Sequence, residues 1–301
     1  MENECYFVSS RGILKSCDFH SSNPKDDFFK DDYKHLDEML TGNKMYDGMT
    51  IYLNTIYLSY FIENILTKIN NKFTLISGDS DNTVPDNILN NSYVDFLLNN
   101  KYLIKWFSQN SKLNNNKCCQ LPIGLDYHSI TNNPHSGLRQ EHELSDPIEQ
   151  EKILQNIRIN TQPFYNRELK IFVNFSLQND RFHERADCIN MIPKELLIGI
   201  LEKTSRTLVW TATTRFSFVL SPKGNGMDCH RTWEILCLGS IPIVKGSEFN
   251  ELFSDLPVLI VNEWSDVNEQ LLKDTIIEFK KRTFNYTKLT LKYWIDKMKH
   301  M

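Results

Sequence analysis

Short apolar runs of strand length alternate along this chain with segments of helical period, and that alternation restricts it to an α/β fold in which helices cover parallel sheets. Met49 to Leu53 reads as a first strand and Phe73 to Ile76 as a second. Between them Leu58, Phe61, Ile62, Ile65, Leu66 and Ile69 recur at the spacing of one helix face, which predicts an amphipathic helix over Thr55 to Ile69. Val84 to Leu98 is expected to be helical, Leu103 to Phe107 a strand, and Gln120 to Leu125 a further short run. The pattern restarts with Leu169 to Val173, a helix over Arg181 to Leu201, a strand over Phe216 to Leu220 and a helix from Asp228. Ile241 to Val244 and Val258 to Val261 follow as strands, and amphipathic helices near Val267 to Lys281 and Tyr286 to Met298 finish the chain. Thr131 to Glu151 is polar and lacks an apolar period, so it marks a boundary between a first domain, 1–140, and a second, 141–301.

Composition removes several classes of partner. A net charge of −4 over 301 residues excludes a globally basic surface, so nucleic acid is not an expected partner. A phosphate-bearing ligand would need a local cluster of cations or backbone N–H groups. No run reaches the roughly 18 apolar residues of a membrane span, and Met1-Glu2-Asn3-Glu4 is unlike a signal peptide, so a cytoplasmic location is expected. The seven cysteines have no metal-site spacing and read as buried thiols.

Chemistry concentrates in FSFVLSPKGNGMDCHRTWEILCLGSIPIV, residues 216–244. An apolar strand runs into Ser221-Pro222-Lys223-Gly224-Asn225-Gly226, after which Asp228 is placed to cap a helix. Ligands of open α/β sheets bind outside such strand ends. With 11 glycines in the whole chain, Gly224 and Gly226 stand where bare backbone can approach an anion, the helix N-terminus favours negative charge, and Lys223, His230 and Arg231 add cations. A diphosphate suits that combination, and Glu234, one turn on, is placed to accept from two ribose hydroxyls. The plainer reading of the same helix is a core stripe of Cys229, Trp233, Leu236 and Cys237 with an exposed Arg231–Glu234 pair. There is no P-loop motif and no third glycine of a dinucleotide fingerprint.

From Phe216 to Trp264, about a sixth of the chain, these residues resemble the donor-binding signature of exostosin-like glycosyltransferases: a strand, a P-x-G-x-G loop, an Arg, a Trp-Glu pair and a G-[SC]-I-P-[IV] strand. The resemblance implies a GT-B fold, two Rossmann-like domains facing a cleft, with C-terminal helices packing back toward the N-terminal domain. It implies a UDP-sugar donor held by the second domain, Arg231 on the diphosphate, Glu234 on the ribose and the loop Ser221 to Gly226 against the phosphates. Arg181 would assist, with Arg185 as its rival. The acceptor would be a hydroxyl of a glycan or glycoprotein, and transfer would proceed with inversion and without a metal. A short chain with 30 asparagines and no anchor looks like the glycosyltransferases of large DNA viruses, which would place it in host cytoplasm.

Transfer to a hydroxyl needs a base. Asp79 follows the second strand, and Asp126 and His128 follow the run ending at Leu125, so all three are candidates; each also suits an ordinary turn. Asp79-Ser80-Asp81 spells D-x-D, the metal–diphosphate motif of GT-A enzymes. The alternatives are therefore a GDP-sugar enzyme of fucosyltransferase type, a metal-dependent GT-A enzyme, or a catalytically inactive glycan-binding module.

Overall fold

The computed structural model describes residues 1–20, 37, 38, 40, 44–132, 146–178, 180–199 and 204–299. In chain order the strands are β1 (Met49–Asn54), β2 (Phe73–Gly78), β3 (Leu103–Ser108), β4 (Cys118–Gln120), β5 (Glu168–Val173), β6 (Leu197–Gly199), β7 (Phe216–Leu220), β8 (Ile241–Lys245) and β9 (Leu259–Val261). They form two sheets, ordered β1-β2-β3-β4 and β6-β5-β7-β8-β9, and every pairing is parallel. The expected α/β architecture with two parallel sheets is thus present. Parallel strands are covered on both faces, which is why β1, β2 and β7 are buried along their whole length and read as mainly apolar runs broken by small polar residues such as Thr50, Thr74 and Ser217.

Helices cover the outer faces. Leu58, Phe61 and Ile62 pack with Val94 and Leu97 on β1 to β3, while Trp264, Leu272 and Phe279 pack on β5, β7 and β8. The inner faces are not separate cores. Tyr52, Ile76 and Phe107 belong to one apolar cluster with Met227, Trp233, Leu236 and Trp294, so the two sheets share a continuous interior.

An extended segment at the start of the chain sews the halves together. Phe7 pairs antiparallel with Thr290 and Ser9 with Gly124; Val8 donates to the Leu289 carbonyl at 2.9 Å and accepts from the Leu125 N–H at 2.8 Å. The buried Glu151 carboxylate accepts from the N–H groups of Tyr6 and Phe7, both at 2.8 Å, and from the Tyr127 hydroxyl at 2.9 Å. The C-terminal helix Leu291–Lys299 does pack back onto the N-terminal part: Leu291, Trp294 and Met298 share the cluster of Cys5, Phe7, Ile13 and Leu14.

Several expected elements are shorter than their apolar period. The helix expected over Thr55 to Ile69 is α-helical only over Leu58–Asn64, with a 3-10 turn on each side. The one expected over Val84 to Leu98 is confined to Asn91–Leu98, capped by the Asn90 side chain. Pro85 supplies no N–H and holds Val84 out of helical geometry, and Val84 instead bonds to Asn110 and Lys112 beside Ser111. Likewise Pro193 stops the expected 181–201 helix, which runs over Glu184–Met191 and gives way to β6. The polar stretch 131–151, expected to be irregular, contributes the start of a helix, Pro147–Ile159, capped by Asp146 with Pro147 in the first turn. Its period is obscured because its inner face carries Gln150 and Glu151, buried as hydrogen-bonding groups beside Leu154. The expected boundary at residue 140 lies outside the described residues.

Gly124 has φ +66°, and a Cβ there would sit 2.2 Å from the Val8 carbonyl oxygen. Gly124→Ala is expected to cost about 2–4 kcal/mol from backbone strain plus the clash. A urea midpoint equal to wild type would show that the Val8–Leu125 stitch is dispensable.

Candidate functional site

The order of the second sheet locates a crevice. From β5 the chain moves to β6 on one side and then returns across β5 to β7, β8 and β9 on the other. Connections that leave a sheet in opposite directions open a gap outside the carboxyl ends of the two strands where the order reverses. Here those ends are Val173-Asn174-Phe175 after β5 and Leu220-Ser221-Pro222-Lys223 after β7. The order β1-β2-β3-β4 has no such reversal.

Around this crevice the loop after β7 differs in detail from its sequence reading. Ser221 is buried and its hydroxyl bonds that of Thr232 at 2.9 Å. Lys223 is paired within the domain: its ammonium lies 2.9 Å from a Glu184 carboxylate oxygen, and its N–H donates to the same side chain. Asn225 is exposed. Gly224 lies against Arg185, where a Cβ would be 2.5 Å from Nη2, and Gly226 lies against Asn110 and Asp81. The missing side chains therefore admit a guanidinium and the facing sheet's loops to close approach.

Asp228, expected to cap the helix, does not. The helix is His230–Leu238, its N-cap is Cys229, and no side chain caps it. The Asp228 carboxylate is instead buried between the halves. It accepts from the Ile123 N–H at 2.8 Å, the Cys229 N–H at 2.9 Å and the Trp233 indole N–H at 2.9 and 3.0 Å, while the Asp228 N–H donates to Asn110 Oδ1 at 2.9 Å. Burial pushes this carboxyl up to about 6, and the N–H donors work against it.

Arg231 faces the crevice. Its guanidinium lies over the Phe175 ring, 5.1 Å from the centroid, and its Nη1 is buried without a hydrogen-bond partner among the described residues. Burial lowers its proton affinity, with Arg185 adding repulsion. Arg185 also lies over the Phe175 ring, 5.8 Å from its centroid, and donates to the Ser176 carbonyl at 2.6 Å and the Lys223 carbonyl at 3.4 Å. Arg181 is exposed and donates to Asn87 Oδ1 at 2.9 Å across the interface. Arg185 is thus the arginine that joins Arg231 at the loop.

Beside Arg231 a cavity of about 210 Å³ opens between β5, β7 and the helices Arg206–Thr213 and His230–Leu238. Phe172, Val219 and Trp210 form its apolar lining, and Asp126, Arg206, His230 and Glu234 its polar one. Burial raises the Glu234 carboxyl, opposed by Arg206, whose Nε is 4.0 Å away.

Asp126 and His128 arrive from the first half. His128 Nδ1 lies 3.2 Å from Asp126 Oδ1, and Arg206 Nη2 bonds Oδ2 at 2.8 Å. The His230 ring meets His128 edge to face at 5.6 Å, with Nδ1 2.7 Å from the Gly124 carbonyl oxygen. Burial would raise the Asp126 carboxyl, but His230, Arg206 and His128 hold it well below the ordinary range. Burial drives His128 down to about 4, so it is neutral at pH 7 despite that carboxylate.

Asp79 is not part of this pair. It adopts φ +58°, its carboxylate is 3.3 Å from Arg11 Nε, and burial raises the carboxyl's pKa while Arg11 opposes that rise. Among the described residues, the group of three or more His, Cys and acidic side chains close enough to share an ion is Asp126, His128 and His230. Arg206 is the site residue that sequence reading missed. Ser205 is a helix-start signal for the helix carrying it, but nothing in linear order pairs Arg206 with Asp126, 80 positions away.

No family model matches the chain. No curated protein matches it. Among solved structures, it is similar to one described as trehalose-6-phosphate from E. coli bound with UDP-2-fluoro glucose, at 11% identity and a TM-score of 0.41 over 100% of this chain and 85% of that one. It is also similar to the N-terminal domain of Candida albicans trehalose-6-phosphate phosphatase, at 10% identity and a TM-score of 0.40 over 92% and 73%. A GtfA/B complex is similar at 10% identity and a TM-score of 0.35, over 89% of this chain and 57% of that one.

Asp228→Ala strips the acceptor from three N–H groups at the interface. The expected cost is about 3–5 kcal/mol, with the Trp233 emission shifted in the native state. Wild-type stability in a denaturant titration would show that the interface does not depend on this carboxylate.

Proposed function

We propose that this chain is a glycosyltransferase that binds a UDP-sugar at the β5–β7 crevice and moves the sugar to a hydroxyl of a glycan acceptor, with inversion and without a metal in the donor site. The observation that carries this reading is Arg231 Nη1, buried at a topological switch point with no hydrogen-bond partner among the described residues. A buried guanidinium with a free N–H is stabilised by an anion, and a diphosphate supplies one. Arg185 and the N–H groups that open the His230–Leu238 helix add to the same field. Glu234, at the cavity next to Arg231, takes the ribose hydroxyls.

In the reaction the acceptor oxygen forms its bond to the anomeric carbon as the bond to the diphosphate oxygen breaks. The leaving electron pair stays on the diphosphate, which Arg231 and Arg185 stabilise. The acceptor proton passes to His128. Its Nδ1–H donates to Asp126, which fixes the tautomer and leaves Nε2 to receive that proton. Arg206 holds Asp126 in place from the other side.

Two measurements test this. In calorimetry wild type binds UDP more tightly than GDP, and Arg231→Ala and Glu234→Ala each lose about tenfold or more in affinity. Unchanged UDP binding in both variants would overturn the donor site. His128→Ala is expected to lower kcat about 10²–10⁴-fold with UDP affinity retained. Wild-type turnover in that variant would remove His128 as the base.

A further inference from the structure

The cluster at the mouth of the cavity has a second chemistry that base catalysis does not use. One ligand atom from each of Asp126, His128 and His230 lies within 4.8 Å of the other two. Asp126 Oδ1 and His128 Nδ1 are 3.2 Å apart. Two ligands on a tetrahedral ion are separated by about 1.6 bond lengths, and zinc bonds to N and O of about 2.0–2.2 Å give about 3.3–3.6 Å, close to the separation found. The outer contacts are those a metal site uses. His230 Nδ1 faces the Gly124 carbonyl at 2.7 Å, so that nitrogen donates outward and Nε2 is the ligand. Asp126 is held by Arg206 through Oδ2 and by the Ser129 N–H on Oδ1 at 3.0 Å, which orients the carboxylate toward the two rings.

We infer that Asp126, His128 and His230 form a Zn²⁺ site, built from both halves of the chain, whose occupation switches off the His128 base. Two imidazoles and one carboxylate are borderline donors suited to zinc rather than to Mg²⁺ or Ca²⁺, which prefer oxygen. Three protein ligands leave a fourth position for water. The bookkeeping of protons sets the consequence. Zinc displaces the proton that His128 Nδ1 gives to Asp126 and takes that nitrogen's lone pair, the single imidazole proton moves to Nε2, and no acceptor lone pair remains for an incoming hydroxyl. The ion therefore competes with base catalysis, and it also clips the Gly124–Asp126–His128 turn to the helix that begins at His230.

Binding does not depend on the proposed function, whereas inhibition rests on it, and separate readouts keep the two apart. Calorimetry with Zn²⁺ alone should show one equivalent bound by wild type. Co²⁺ should give the visible absorption of a four-coordinate ion with N and O ligands. Zn²⁺ should raise the melting temperature of wild type, by the linkage of ligand binding to the folded state, and of a Cys118→Ser/Cys119→Ser variant equally. His128→Ala and His230→Ala should each weaken Zn²⁺ at least about tenfold, and His230→Gln should behave likewise should the alanine variant fold poorly. Loss of binding in the cysteine variant, or an unaltered Co²⁺ spectrum in both histidine variants, would overturn the site. With binding established, Zn²⁺ should abolish sugar transfer reversibly to EDTA, and stimulation of transfer by Zn²⁺ would overturn the switch.

Discussion

The Asp228 carboxylate joins the parts on which the rest of the site depends. Its oxygens accept from the backbone of Ile123 in one half and from the backbone and indole N–H groups of Cys229 and Trp233 in the other. Asp126 and His128 follow Ile123 by three and five positions, and His230, Arg231 and Glu234 follow Asp228 by two, three and six. Two short backbone segments are thus registered against each other at atomic distance by one buried acceptor. A charged acceptor suits this task because each N–H it takes up would otherwise be buried unpaired.

Around that joint the charges are arranged as a chain of shared partners rather than as isolated pairs. Arg206 lies between Asp126 and Glu234, and Arg11 meets Asp79. Arg231 makes no ion pair with them among the described residues, and its guanidinium lies over the Phe175 ring with Nη1 buried and without a hydrogen-bond partner there. Satisfied charges in a low-dielectric interior hold geometry, whereas an unsatisfied one is a standing attraction for a ligand. The contrast between Arg206 and Arg231 separates a guanidinium held by two carboxylates from one whose buried Nη1 has no hydrogen-bond partner among the described residues.

Residue by residue, legibility followed the range of the interaction. The strands β1, β2, β5, β7, β8 and β9 were readable because burial leaves a local mark, a short, mainly apolar run. Helix lengths were less so, since Pro85 and Pro193 interrupt apolar periods that continue past them. The Pro147–Ile159 helix was hidden because Glu151 and Gln150 face inward to bond Tyr6, Phe7 and Tyr127. At the candidate site, the placement of Arg231 and Glu234 beside one cavity agrees with what their order suggested. That Lys223 is spent on Glu184, that Arg185 rather than Arg181 joins Arg231, and that Asp79 turns to Arg11 were not legible from order.

By itself the sequence determined that this is an α/β chain with parallel sheets, that a glycine-containing loop follows the strand Phe216–Leu220, and which few residue types lie near strand ends. These are local properties, set by apolar period, turn chemistry and the order of neighbouring residues. Only the tertiary structure decided that the sheets share one interior, that Asp228 bolts the halves instead of capping a helix, and that Asp126, His128 and His230 converge. The physical reason is that a buried charge selects its partner by distance in space. Between positions as far apart as Arg206 and Asp126, linear order carries no record of that distance.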